Sequence, residues 1–123
     1  MKDLTVILQN KPGTLADMGQ ALGKAGIPME SLCGFPCQGE GILHILVKDA
    51  SAAQRELEKA GFQVKSERDV LIHTLEEKSG SFGDFMRKMA DAGVNVDLVY
   101  AKPLSHDLVF GVDDIEKARA ILD

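Results

Sequence analysis

Apolar and polar positions alternate in two distinct rhythms along this chain, and the order of the rhythms recurs. Residues 4–9 alternate with a period of two, as a half-buried strand does. After the loop Asn10-Lys11-Pro12-Gly13, apolar residues fall at Leu15, Met18, Leu22 and Ala25, the i, i+3, i+7, i+10 spacing of one helical face. A second strand is predicted over 28–35 and a third over 42–47, joined by a turn to which Gly39 and Gly41 give flexibility. A helix follows, with Ala53, Leu57 and Ala60 on one face, and then a short strand over 62–65.

The same series then begins again. Sliding the sequence so that Leu4 lies on Leu71 brings 4–27 onto 71–94 without a gap, matching Leu8 with Leu75, Gly13 with Gly80, Asp17 with Asp84 and Gly26 with Gly93. In the second copy the helical stripe is Phe82, Phe85, Met89 and Ala92, between strands predicted over 70–76 and 95–101. A third strand, 108–112, follows a turn read as two residues shorter than that of the first copy, and Ile115, Ala118 and Leu122 mark a last helix. No strand-like segment remains after it. Thr14 with Asp17, and Ser81 with Asp84, read as a hydroxyl N-cap followed three residues later by a carboxylate.

The fold class is therefore α+β: two tandem ferredoxin-like repeats, 1–67 as βαββαβ and 68–123 as βαββα lacking its last strand. Each is an antiparallel sheet with helices on one face. The missing strand leaves the second copy's first strand as a candidate edge, which should pair with the first repeat or with another chain, so a homodimer is expected.

Composition narrows the function. The 123 residues carry a net charge of -5, which argues against neutralising phosphates, so nucleic acid is not an expected partner. No apolar run approaches the roughly 20 residues that span a bilayer, so neither a membrane partner nor a signal sequence is expected, and the expected location is cytoplasmic. There Cys33 and Cys37 should stay as free thiols. Their C-x3-C spacing stands without a second cysteine pair, and His44, His73 and His106 lie in separate segments, so no metal and no cofactor is assigned. No nucleophile with its base and no carboxylate pair has a local signature, so no catalytic residue is assigned. Gly19 and Gly23 fall inside the first helix and do not form a nucleotide-binding turn with Gly13.

The run NKPGTLADMGQALGKAGIPMESL resembles the signature of ACT domains, the amino-acid-binding regulatory modules attached to many biosynthetic enzymes. The resemblance extends over nearly the whole chain and is weaker in the second copy, where Ser79 replaces the proline. It implies an allosteric, non-catalytic protein that binds an amino acid at the interface between modules. By motif, the site takes Asn10, Pro12, Gly13 and Leu15 with Ile27 and Met29 from the first copy, and Ser79, Gly80, Phe82, Asn95 and Val96 from the second. Glycine would let the backbone approach the ligand, and N–H groups at the helix start would donate to its carboxylate, although Asp17 and Asp84 are placed to satisfy those same groups. Glu77 for a ligand ammonium, and Lys11 or Lys78 for a carboxylate, are further candidates, with solvated surface the competing role.

Two alternatives stand beside this reading. The first copy also resembles the small subunit of acetohydroxyacid synthase, which implies a regulatory subunit with an enzyme partner. The other is a small ferredoxin-like isomerase, with Glu77 and His73 as the residues to test.

Overall fold

The computed structural model describes residues 1–122. The chain divides into one unit of Met1–Asp69 and another beginning at Val70. The first unit runs β1 (Lys2–Gln9), α1 (Thr14–Lys24), β2 (Ser31–Cys37), β3 (Glu40–Val47), α2 (Ala50–Lys59) and β4 (Gln63–Asp69). Its strands form one antiparallel sheet in the order β2-β3-β1-β4. The second unit runs β5 (Leu71–Thr74), α3 (Ser81–Asp91), β6 (Val96–Ala101), β7 (Asp107–Val112) and α4 (Ile115–Leu122), with a three-stranded sheet ordered β5-β7-β6. These are the tandem ferredoxin-like repeats expected from the sequence, the second without its last strand. β5 lies at an edge and pairs with β7 alone among the described strands.

Alternation along β1 explains the first core. Leu4, Val6 and Leu8 meet Leu43, Ile45 and Val47 of β3 on one face, covered by Met18 and Leu22 of α1 and Ala50, Ala53 and Leu57 of α2. The opposite face of β1 carries Asp3 and Thr5, both buried, and the imidazole Nδ1 of His44 lies 2.9 Å from Asp3 Oδ2. A polar group taken out of water needs such a partner. The second core gathers Phe85 and Met89 of α3, Leu108, Phe110 and Val112 of β7, and Ala118 of α4.

Several boundaries differ from the sequence reading, each for a local reason. The strand expected from 28 begins at Ser31, since Pro28 has no N–H to give a ladder. β4 extends to Asp69, beyond the expected 62–65, because an edge strand needs few apolar residues and is anchored here by Lys2, 2.8 Å from Asp69 and 3.8 Å from Glu67. The β2–β3 turn is Gln38–Gly39, both at positive φ (49° and 84°), a two-residue type I′ arrangement; Gly41 belongs to β3 opposite Leu8. The corresponding connection in the second unit, residues 102–106, is longer than this, not shorter. β6 ends at Ala101, short of the position matching the end of β2, while β7 starts at Asp107, which matches the start of β3, so the loop grows on the β6 side. β2 is an outer strand of its sheet and contains Pro36, paired with Gly41.

The expected hydroxyl caps do not form. Gly13 and Gly80 occupy the N-cap positions of α1 and α3 at φ 94° and 87°, and neither helix start has a side-chain cap. A left-handed residue at the cap swings the next hydroxyl away: Thr14 Oγ1 donates instead to the carbonyls of Gln9 (2.7 Å) and Lys11 (3.1 Å). Asp49, by contrast, caps α2, its carboxylate accepting from Ala52 N–H at 3.0 Å.

Candidate ligand-binding site

Thr14 ties the β1–α1 loop to itself, and a third bond, Lys11 N–H to Gln9 C=O at 2.9 Å, tightens it further. The loop thus presents Gln9, Asn10 and Lys11 in a fixed bend at the end of β1. Between this bend and the outer strand β2 opens a pocket of about 380 Å³, within the usual size of small-molecule sites. Leu8, Leu43 and Leu15 line its apolar side together with Leu32, Gly34 and Pro36, which share one face of β2; Phe35 and Ile42 are also at its wall. Gln9, Asn10, Lys11 and Thr14 form its polar end.

The backbone donors at the start of α1 carry no side-chain cap, so Asp17 does not satisfy them as the sequence pattern allowed. Its own N–H donates to Gly13 C=O at 2.9 Å. Gly13 has open space where a Cβ would stand, so its glycine answers the left-handed backbone rather than a close neighbour.

Of the residues singled out from sequence, Asn10 and Leu15 line this pocket, and Pro12 and Gly13 shape the loop beside it. Ile27 and Met29 pack against the first core instead. In the second unit, Ser79 and Gly80 are exposed in the corresponding loop and Phe82 is 47% exposed at the start of α3. Asn95 is held through its backbone, its N–H donating to Asp113 Oδ1 at 2.9 Å and its C=O accepting from Asp113 N–H at 3.1 Å, while Val96 packs against the second core. A hollow of about 360 Å³ beside that loop is lined by Glu76, Glu77, Lys78, Ser81, His106 and Asp107 among others. Lys78 lies 3.1 Å from Glu76, whose hydrogen bond and charge raise the lysine's pKa above its usual value, and Glu77 lies 3.6 Å from His106.

Sequence reasoning missed Leu32 and Phe35, which are 45% and 49% exposed. The available signal was a strand carrying large apolar residues next to glycine and proline, the punctuation of a sheet edge. Leu15 and Phe82, read as part of each helical stripe, also stand outside the cores, because the first turn of each helix projects past the packed face.

A larger groove of about 450 Å³ lies between α1 and α2, lined by Asp17, Lys24, Glu56 and Lys59 with alanines between them. Its apolar surface is only alanine, between charged side chains of both signs, with none of the large apolar or aromatic residues that usually line a small-molecule site. His73 stacks flat on Phe85, with centroids 4.2 Å apart, which is a packing role. Among the described residues, Cys33 and Cys37 are free, and no group of three or more His, Cys, Asp or Glu is placed to hold a metal ion. Nor is any described helix long and apolar enough to cross a membrane.

Each repeat carries a tight loop between its first strand and first helix, and in the first unit that loop stands beside an apolar recess. A family model described as an ACT domain pair matches residues 1–122, and the chain belongs to this family. No curated protein matches the sequence. Among solved structures, the chain is similar to a protein from Bacteroides thetaiotaomicron, with 24% identity, a TM-score of 0.86, and 98% of this chain and 85% of that one covered. It is also similar to the ligand-free regulatory subunit of aspartate kinase from Thermus thermophilus, with 20% identity, a TM-score of 0.75, and 98% and 87% covered. The regulatory subunit of aspartate kinase from Thermus flavus shows 20% identity and a TM-score of 0.70, with 98% and 87% covered. At these identities the likeness is one of fold.

Proposed function

We propose that this chain is a non-catalytic regulatory protein that binds a free amino acid in the pocket between the Gln9–Thr14 loop and β2. The observation that carries the reading is the pairing of a polar end, Gln9, Asn10, Lys11 and Thr14, with an apolar side. An amino acid has the same two-ended chemistry. Its carboxylate would meet the Lys11 ammonium and the uncapped N–H groups at the start of α1, where the helix dipole favours an anion. Its ammonium would meet the side-chain carbonyls of Asn10 and Gln9. Of the residues read from sequence, the proposal keeps Asn10, Gly13 and Leu15.

Exposure of Leu15 (52%), Leu32 and Phe35 fits a wall that is completed by another module, and we propose a homodimer as the working form. Ligand binding would favour one arrangement of the two copies, and a partner would read it. The structural likeness to regulatory subunits of aspartate kinase supports a biosynthetic enzyme as that partner class. Co-purification from the native host should bring down such an enzyme.

Titration calorimetry of the full chain against the twenty amino acids tests the reading. The expected result is saturable binding by at least one, weakened about tenfold or more by Asn10→Ala, the loss of one charge-assisted hydrogen bond. Absence of any saturable ligand would refute it.

A further inference from the structure

We infer that the pocket selects an amino acid with a large, uncharged, apolar side chain, of the leucine to phenylalanine class; this rests on the amino-acid reading above and narrows it. Among the described residues lining the pocket, Lys11 is the only charged one. With no carboxylate in that lining, the side chain of lysine or arginine would give up its hydration without a counter-charge, a loss that burial does not offset. An aspartate or glutamate ligand would bring two carboxylates to one ammonium. The remaining lining favours hydrocarbon: it includes Leu8, Leu15, Leu32, Pro36 and Leu43, the last packed so closely on Gly34 that a Cβ there would stand 3.0 Å from Leu43 Cδ1.

The second unit makes the contrast. At the sequence positions matching Leu32 and Phe35 it carries Val99 and Lys102, and the hollow at its loop is walled by Glu76, Glu77, His106 and Asp107. Although Leu75, Ala101 and Leu108 also line that hollow, its wall carries charges of both signs, so one apolar site per chain, in the first unit, is expected.

Each methylene removed from water strengthens association about fourfold. Leucine exceeds alanine by three carbons, so even with part of the side chain left wet it should bind at least about tenfold more tightly. Calorimetry of the full chain with leucine, isoleucine, phenylalanine, methionine, alanine, threonine, lysine and aspartate reads this directly. The expected result is saturation by the apolar set at about one site per chain, with alanine, lysine and aspartate at least about tenfold weaker. Leu15→Ser, in an exposed first turn, should weaken leucine more than alanine and so shrink the leucine-to-alanine ratio. If lysine, aspartate or threonine binds more tightly than leucine and Asn10→Ala weakens it, the side-chain class is wrong and the amino-acid site stands. If the leucine-to-alanine ratio survives Leu15→Ser, the selection lies elsewhere and the inference falls. If nothing saturates, both readings fall, and sedimentation showing a dimer would then assign the apolar wall to contact between copies.

Discussion

Glycine-to-alanine substitutions at two nearby positions should change stability in opposite directions. Gly13 caps α1 at φ 94° with open space where an added methyl would stand, so Gly13→Ala meets no clash and bears only the strain of the left-handed backbone, roughly 1–2 kcal/mol. The narrower unfolded ensemble offsets about 0.4–1 kcal/mol of that, leaving a net loss of about 1 kcal/mol. Gly19 sits inside α1, also with nothing near a Cβ, so Gly19→Ala should stabilise by about 1 kcal/mol through helix propensity. Both residues belong to the same unit, so the comparison is like for like. With a urea m-value of about 1 kcal/mol per molar for so small a unit, the two midpoints should separate by roughly 2 M. Urea melts followed by far-ultraviolet circular dichroism, at one protein concentration, measure this. Equal signs for the two variants, or a neutral Gly13→Ala, would refute the assignment of the left-handed cap as the reason for glycine at 13.

Leu57 is fully buried under the first sheet, and Leu57→Ala should lower stability by about 2–5 kcal/mol through the cavity it leaves, measurable as a fall in melting temperature. Asp49→Ala removes the carboxylate that accepts from Ala52 N–H and should cost about 1 kcal/mol in the same assay, with Asp49→Ser largely restoring it. The Lys2 ammonium is raised above its usual 10.5 by its hydrogen bond to Asp69 and then by that carboxylate's charge. A raised pKa means stabilisation fully present below 10.5 and lost as pH climbs through the folded value. The stability gap between the wild type and Asp69→Asn, followed by urea melts from pH 8 to 11, should therefore close at the alkaline end; a gap that stays constant would remove this ion pair from the account.

The architecture was legible because repetition and periodicity survive in sequence. Met18, Leu22, Phe85 and Met89 all lie in the cores, where helical spacing puts them. Capping was not legible because Thr14-x-x-Asp17 has the letters of a capping box, while the left-handed cap at Gly13 turns the Thr14 hydroxyl back to Gln9 and Lys11. The full length of β4 stayed hidden because Ser66 through Asp69 hold their places by cross-strand pairing and ion pairs, which leave no hydropathy trace. The pocket was half legible: the loop carried a recognisable motif, but its apolar wall is assembled from β2 and β3, and pairing register is a three-dimensional fact.

Pro36 places a limit on what can grow from the first sheet. A two-residue hairpin closes on a hydrogen-bonded pair, here Cys37 with Glu40, so the next pair, Pro36 with Gly41, turns its main-chain groups outward. At that point the outer rim of β2 has a ring nitrogen where a donor would stand. Any strand joining alongside must take its bonds from Leu32 and Gly34 and stop short of the hairpin tip, which caps lateral growth of the sheet at a few residues and guards this exposed, apolar rim against open-ended stacking of chains.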